Sequence, residues 1–224
     1  RDFRPVVLDG TTFSARYDVD AQRIVSHNVI GMVPGSKRPD ETVIYSGHWD
    51  HLGIGEPDAR GDRINNGAID NATGIAAMVE LGRAFAKGER PERSVVFLAL
   101  TAEEKGLLGS EYYAANPIFP LEKTAGVINM DSLNPWGSTR DFSISGSAKL
   151  DLLDDLIAAA KARGRSFTAD ARPAAGSFFR SDHFPFAKRG VPAVSFSSGR
   201  DRKDASGPAS TPFPNAHANG LHHR

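Results

Sequence analysis

The chain has 224 residues, no cysteine, and 27 basic against 27 acidic side chains, so its formal net charge is zero. That balance speaks against a nucleic-acid partner or an anionic membrane surface. The missing thiols exclude a disulfide framework and any cysteine-held zinc, leaving histidines and carboxylates to bind a metal. At 40% hydrophobic residues the length suits one sizeable core, and residues 1–224 read as a single domain. No apolar run nears the roughly 20 residues of a membrane helix.

In chain order, residues 28–33 read as a strand closed by the turn signal Pro34-Gly35. A second β-branched run, 42–46, leads into Gly47-His48-Trp49-Asp50-His51. Asn66-Gly67-Ala68-Ile69-Asp70-Asn71-Ala72 then precedes a helix expected over 73–87, with Ile75, Met78, Val79 and Phe85 on one face and Gly88 as its stop. The run 94–100 is followed by Thr101-Ala102-Glu103-Glu104, and the run 125–130 by Asp131. A second helix is expected over 150–163, with Leu152, Leu153, Leu156 and Ile157 inward and Gly164 at its end. The run 191–196 is the last strand expected, and the Pro-, Ala-, Ser- and Asn-rich stretch 206–219 reads as a long loop. Strands alternating with helices argue for a three-layer α/β/α sandwich around a mixed, mainly parallel sheet.

Such sheets bind ligands at the carboxyl ends of their strands, and here metal-capable residues stand where the apolar runs stop. Each has a plainer account. His48 and Asp50 make a buried histidine–carboxylate pair; Asp70 caps a helix; Glu103 and Glu104 open one; Asp131 starts a turn with Asn134 and Pro135. Their joint placement is what favours a metal centre. Two metals about 3.5–4 Å apart need a bridging carboxylate, further ligands, and a free carboxylate to move a proton. The adjacent Glu103 and Glu104 can divide the last two tasks, and Asp50 lies close enough to orient the His48 ring. Ser181-Asp182-His183 holds the residue types of a serine triad, but neighbours in sequence point apart.

With these segments assembled, the chain resembles the co-catalytic zinc aminopeptidase family, whose relatives include glutamate carboxypeptidases and glutaminyl cyclases. The resemblance rests on Gly47-His48-Trp49-Asp50, the run from Ala68 to Gly74, Ala102-Glu103-Glu104 through Ser110, Asn129-Met130-Asp131, and Ser181-Asp182-His183, in the family's order. It implies an eight-stranded mixed sheet, two zinc ions and a peptide substrate. Asp70 would bridge the metals. His48 and Asp131 would complete one zinc, and Glu104 with a late histidine the other. Glu103 would be the acid–base residue, Asp50 would hold His48, and the Asp70–Asn71 peptide would be cis. His183 is not the late ligand on this pattern. His217, His222 and His223 are the candidates, and His223 fits best. The resemblance further implies a bacterial catalytic domain truncated at both ends and a secreted or periplasmic location. An aminopeptidase is the leading expectation. A glutaminyl cyclase, a carboxypeptidase with Arg180 or Arg200 at its substrate carboxylate, and an inactive binding module are the alternatives.

Overall fold

The computed structural model describes residues 4–203. Its main sheet contains β1 (Val29–Val33), β2 (Arg38–His48), β5 (Arg93–Leu100), β6 (Thr124–Met130), β7 (Asp141–Ile144), β8 (Ser166–Phe167) and β9 (Ala193–Ser198). Strands β3 (Gly53–Ile54) and β4 (Ile64–Asn65) form a separate antiparallel ribbon. The four α-helices among the described residues are α1 (Ala72–Lys87), α2 (Leu108–Ala115), α3 (Asp151–Ala162) and α4 (Phe184–Ala187).

The order across the sheet is β1-β5-β2-β6-β9-β7-β8. Its centre, β5-β2-β6-β9, is parallel, while β1 on one side and β7 on the other run antiparallel to it. This is the mixed, mainly parallel sheet expected. The resemblance implies eight strands; the described residues place seven in it.

Side-chain alternation along the strands makes two apolar layers. Ile44, Val96, Leu98, Val127 and Ala193 pack with Tyr113 of α2 and Phe186 of α4. The neighbouring positions Tyr45, Ile128 and Val194 face the other way, where Leu153, Leu156 and Ile157 of α3 cover the sheet. Phe85 of α1 closes the same side against Tyr45 and Phe97. Helices therefore cover both faces, which is why the central strands read as unbroken apolar runs.

One sequence expectation needs correction. Val79 is 51% exposed, because the inward stripe of α1 runs through Gly74, Met78 and Phe85 instead. Gly88 stops α1 as expected, in an extended conformation with its N–H bonded to the Ala84 carbonyl. No helix among the described residues is long and apolar enough to cross a membrane.

Candidate metal centre

Parallel strands send their carboxyl ends to one edge, and β2, β5 and β6 deliver His48, the turn 101–107 and Asp131 there. The turn after β5 is shaped by left-handed backbone at Ala102 (φ 55°), Gly106 (φ 98°) and Leu107 (φ 61°). Asp50 fixes it to the end of β2: its carboxylate accepts the backbone N–H of Glu103 at 3.1 Å and of Glu104 at 3.3 Å. Neither glutamate opens a helix, since α2 begins only at Leu108.

Asp70 arrives on the loop before α1. The N-cap of that helix is Asn71, whose Oδ1 accepts the N–H groups of Gly74 and Ser132 while its Nδ2 donates to the Met130 carbonyl. Thr73 adds a bond from the Leu133 N–H at 2.9 Å. Asp70 is thus released from capping, and its loop is bolted to the segment carrying Asp131. The chains pass so closely that a Cβ on Gly74 would collide with the Met130 carbonyl. The Asp70–Asn71 peptide is cis, as the resemblance implies.

Asp131 starts no turn with Asn134. Its carboxylate accepts the hydroxyls of Ser132 at 3.1 Å and Ser181 at 2.8 Å. Ser181 in turn accepts from Asn129 Nδ2, and Asn129 Oδ1 accepts the Ser46 hydroxyl, so a buried polar chain runs from β2 through β6 to Asp131.

Two donor groups converge. His48 Nε2 lies 3.1 Å from Asp70 Oδ1 and 3.5 Å from Asp131 Oδ1. His51 Nδ1 lies 2.7 Å from Glu104 Oε1 and forms a second set with Glu104 and Asp70. Within each set the donor atoms lie within 4.8 Å of one another, and Asp70 belongs to both. Atoms bound tetrahedrally to zinc at about 2.0–2.2 Å stand about 3.3–3.6 Å apart, so the first set fits a zinc with little movement. The mixed imidazole and carboxylate donors of both sets suit zinc as well.

The His48 ring is held by its other nitrogen. Nδ1 is 3.0 Å from the backbone carbonyl of Asp50 and 3.7 Å from the nearer oxygen of its carboxylate. An N–H donated to that carbonyl leaves Nε2 as the nitrogen with a free lone pair toward Asp70 and Asp131. Asp50 therefore steadies His48 chiefly through its main chain, while its side chain serves the Glu103–Glu104 turn.

Electrostatics show a site built for positive charge. Burial disfavours the charged His48 ring, but hydrogen bonds to Asp131, Asp50 and Asp70 outweigh it and raise its pKa. Burial would raise Asp131, yet its bonds from His48 and Ser181 hold it below the usual aspartate range. Glu103 is pushed up to about 8 by burial, with repulsion from Asp131, Asp182 and Glu104 working against the pull of His48. Buried Asp182 rises to about 7 for the same leading reason, despite the hydroxyl bond from Ser110.

His48, Asp50, Asp70, Glu103, Glu104 and Asp131 thus gather at one sheet edge, and Glu103 stands outside both donor sets. His183 is fully buried before α4, edge-on to Phe178, and in neither set. His217, His222 and His223 lie outside the described residues. His51 is the member that sequence reasoning did not single out. Its signal was its place in the same segment as His48, and its side chain, only 9% exposed, packs over Gly67, where a Cβ would stand 3.0 Å from its own.

Fold and donor groups together define a metal-binding α/β domain. The description Peptidase family M28 matches residues 28–220, and the chain belongs to that family. It is 34% identical over 130 residues to a "Probable zinc metalloprotease" of Pyrenophora teres f. teres, a match covering 56% of this chain and 27% of that protein. The chain spans less than a third of the length of the curated relatives it matches first. Its fold matches the aminopeptidase from Aneurinibacillus sp. strain AM-1 with a TM-score of 0.60 at 25% identity, covering 80% of this chain and 40% of that one. A glutaminyl cyclase from an Acidobacteriales bacterium matches at 0.58 and 24% identity, over 88% and 63% of the two chains.

Proposed function

We propose that this chain is the catalytic domain, residues 1–224, of a secreted or periplasmic zinc aminopeptidase that uses two zinc ions to release N-terminal residues from peptides. The observation carrying this reading is the membership of Asp70 in both donor sets, as a bridging carboxylate requires. His48 and Asp131 hold one zinc with Asp70. Glu104 and a late histidine, His223 before His222 or His217, hold the other, and His51 braces Glu104. Zinc, when bound, supplies Lewis acidity toward water and toward the scissile carbonyl. Glu103 takes the proton of the attacking water and returns it to the leaving amine nitrogen. The Asp50 carboxylate aims Glu103 by holding its backbone N–H, and the negative charge of the carboxylates around it suits the substrate's free ammonium group.

Zinc analysis together with hydrolysis of leucine p-nitroanilide tests the proposal: two zinc ions per chain and zinc-dependent release of nitroaniline are expected. A chain that takes up no zinc would return the inactive binding module to first place. The likeness to glutaminyl cyclases favours one second reading, cyclisation of an N-terminal glutamine at a single zinc. One zinc per chain with ring closure of a Gln-peptide would decide for it.

A further inference from the structure

The turn that presents Glu103 and Glu104 is held at two places. Asp50 holds its crest through the N–H groups of both glutamates. Its base is held from the other side by Asn28, the residue before β1. Strand β1 runs antiparallel to β5 with Val29 opposite Ala99, so Asn28 stands where β5 gives way to the turn. Its Oδ1 accepts the Thr101 N–H at 3.1 Å, and its Nδ2 donates to the Gly109 carbonyl at 2.9 Å. The Gly109 N–H in turn bonds the Thr101 carbonyl at 2.9 Å. One side-chain amide therefore spans both ends of the turn 101–109.

The junction has no slack. Gly109 is buried, and a Cβ on it would collide with the Thr101 carbonyl and with Asn28 Oδ1. Between its ends the turn takes left-handed backbone at Ala102 and Leu107, which is unfavourable for residues with a Cβ and persists only where the surroundings impose it. The neighbours of Asn28 are pinned to the same place: the Ser26 hydroxyl lies 2.6 Å from that of Thr101, and Trp49 Nε1 donates to the His27 carbonyl at 3.1 Å. The partners also dictate the residue type. An N–H needs an acceptor and a carbonyl needs a donor, and asparagine presents both in one rigid fork. An ionised aspartate has no donor, serine offers a single atom, and glutamine is a methylene longer.

We propose that Asn28 is a positioning residue of the metal centre: by closing the base of the turn, its amide sets the Glu103 and Glu104 carboxylates in place while touching neither. The consequence for turnover rests on the peptidase reading; the consequence for the turn does not. A neutral hydrogen bond is worth about three- to tenfold in an equilibrium. Loss of both bonds should therefore open the turn roughly tenfold to a hundredfold more often.

The test has two arms, both on the full chain. Amide hydrogen exchange of the metal-free protein reads the turn directly: Asn28→Ala should speed exchange at Glu103 and Glu104 about tenfold or more, while amides of β2 and β6 keep their wild-type rates. Hydrolysis of leucine p-nitroanilide by the zinc-loaded protein should show kcat per folded, loaded molecule reduced about tenfold to a hundredfold, with KM within about twofold. Asn28→Asp keeps the size and the acceptor for Thr101 but sets a carboxylate against the Gly109 carbonyl, and should lose as much. Thr42→Val removes a buried hydroxyl bond to Thr124, at the start of β6 and away from the metal edge. It should lower stability and leave kcat per folded molecule unchanged. Wild-type exchange at Glu103 and Glu104 in Asn28→Ala overturns the proposal, as does exchange that rises equally throughout the sheet. Wild-type kcat in either Asn28 variant, or an equal fall in Thr42→Val, does the same, because the amide would then serve stability alone; so does failure of both Asn28 variants to fold. If the wild-type chain cuts no leucine substrate while Asn28→Ala still frees the turn alone, the peptidase reading fails and the positioning stands.

Discussion

The carboxylate of Asp50 holds the backbone N–H of Glu103 at 3.1 Å, tying the end of β2 to the turn that follows β5. Asp50→Ala should therefore loosen Glu103 and Glu104 together. Loss of such a supporting contact costs about 10- to 100-fold in activity or metal affinity. The expected result is a fall in kcat of that size with KM less affected, read in steady-state kinetics. A variant with wild-type kcat would count against the clamp.

Glu103 and Asp70 should fail differently. Glu103→Gln should keep both zinc ions and the fold while lowering kcat by at least 10²-fold, the low end for loss of a positioned acid–base group. Asp70→Asn should instead lose zinc, because Asp70 serves both donor sets. Elemental analysis beside a turnover assay separates the two; zinc loss in Glu103→Gln would reverse the assignment.

His51 should matter to the metal before it matters to the fold. Its contact with Glu104 at 2.7 Å predicts that His51→Ala weakens zinc binding about 10- to 100-fold. Competition with a chromogenic chelator measures this directly. Paired His223→Ala and His222→Ala variants in the same assay identify the late ligand.

Acid stability should depend on Asp141, away from the metal. Burial alone would raise its pKa, but bonds from the backbone of Asp201 and Arg200 and from Thr168 hold it below 3.8. A carboxyl depressed in the folded state contributes stability that is present above the unfolded value and lost as pH falls through the folded one. Chemical denaturation should show stability dropping below pH 3.8, and Asp141→Asn should flatten that slope at a cost of ~1 kcal/mol near neutrality.

The strands after which the chemistry sits were legible because burial on both faces leaves plain apolar runs: 94–100 was expected where Arg93–Leu100 forms, and 125–130 where Thr124–Met130 forms. Helix α2 was not legible. Its start depends on distant partners: Asn28 Nδ2 donates to the Gly109 carbonyl, and the Gly109 N–H bonds the Thr101 carbonyl. Strands β7 and β8 were missed because four and two residues are too short to display a period. At the site, acids at strand ends could be read from order alone. The engagement of His48 by the Asp50 carbonyl, and the approach of His51 to Glu104, depend on backbone geometry that no spacing encodes.

The reversal of β7 against β9 has an evolutionary consequence. It returns Asp141 to the edge where the parallel strands end, so a cavity beside the metal centre is walled by residues 141–200 while both donor sets come from residues 48–131. The wall and the donors occupy separate stretches of chain. Substitutions in that wall can reshape the space beside the donors without replacing any of them. Selection can thus retune appetite and chemistry independently.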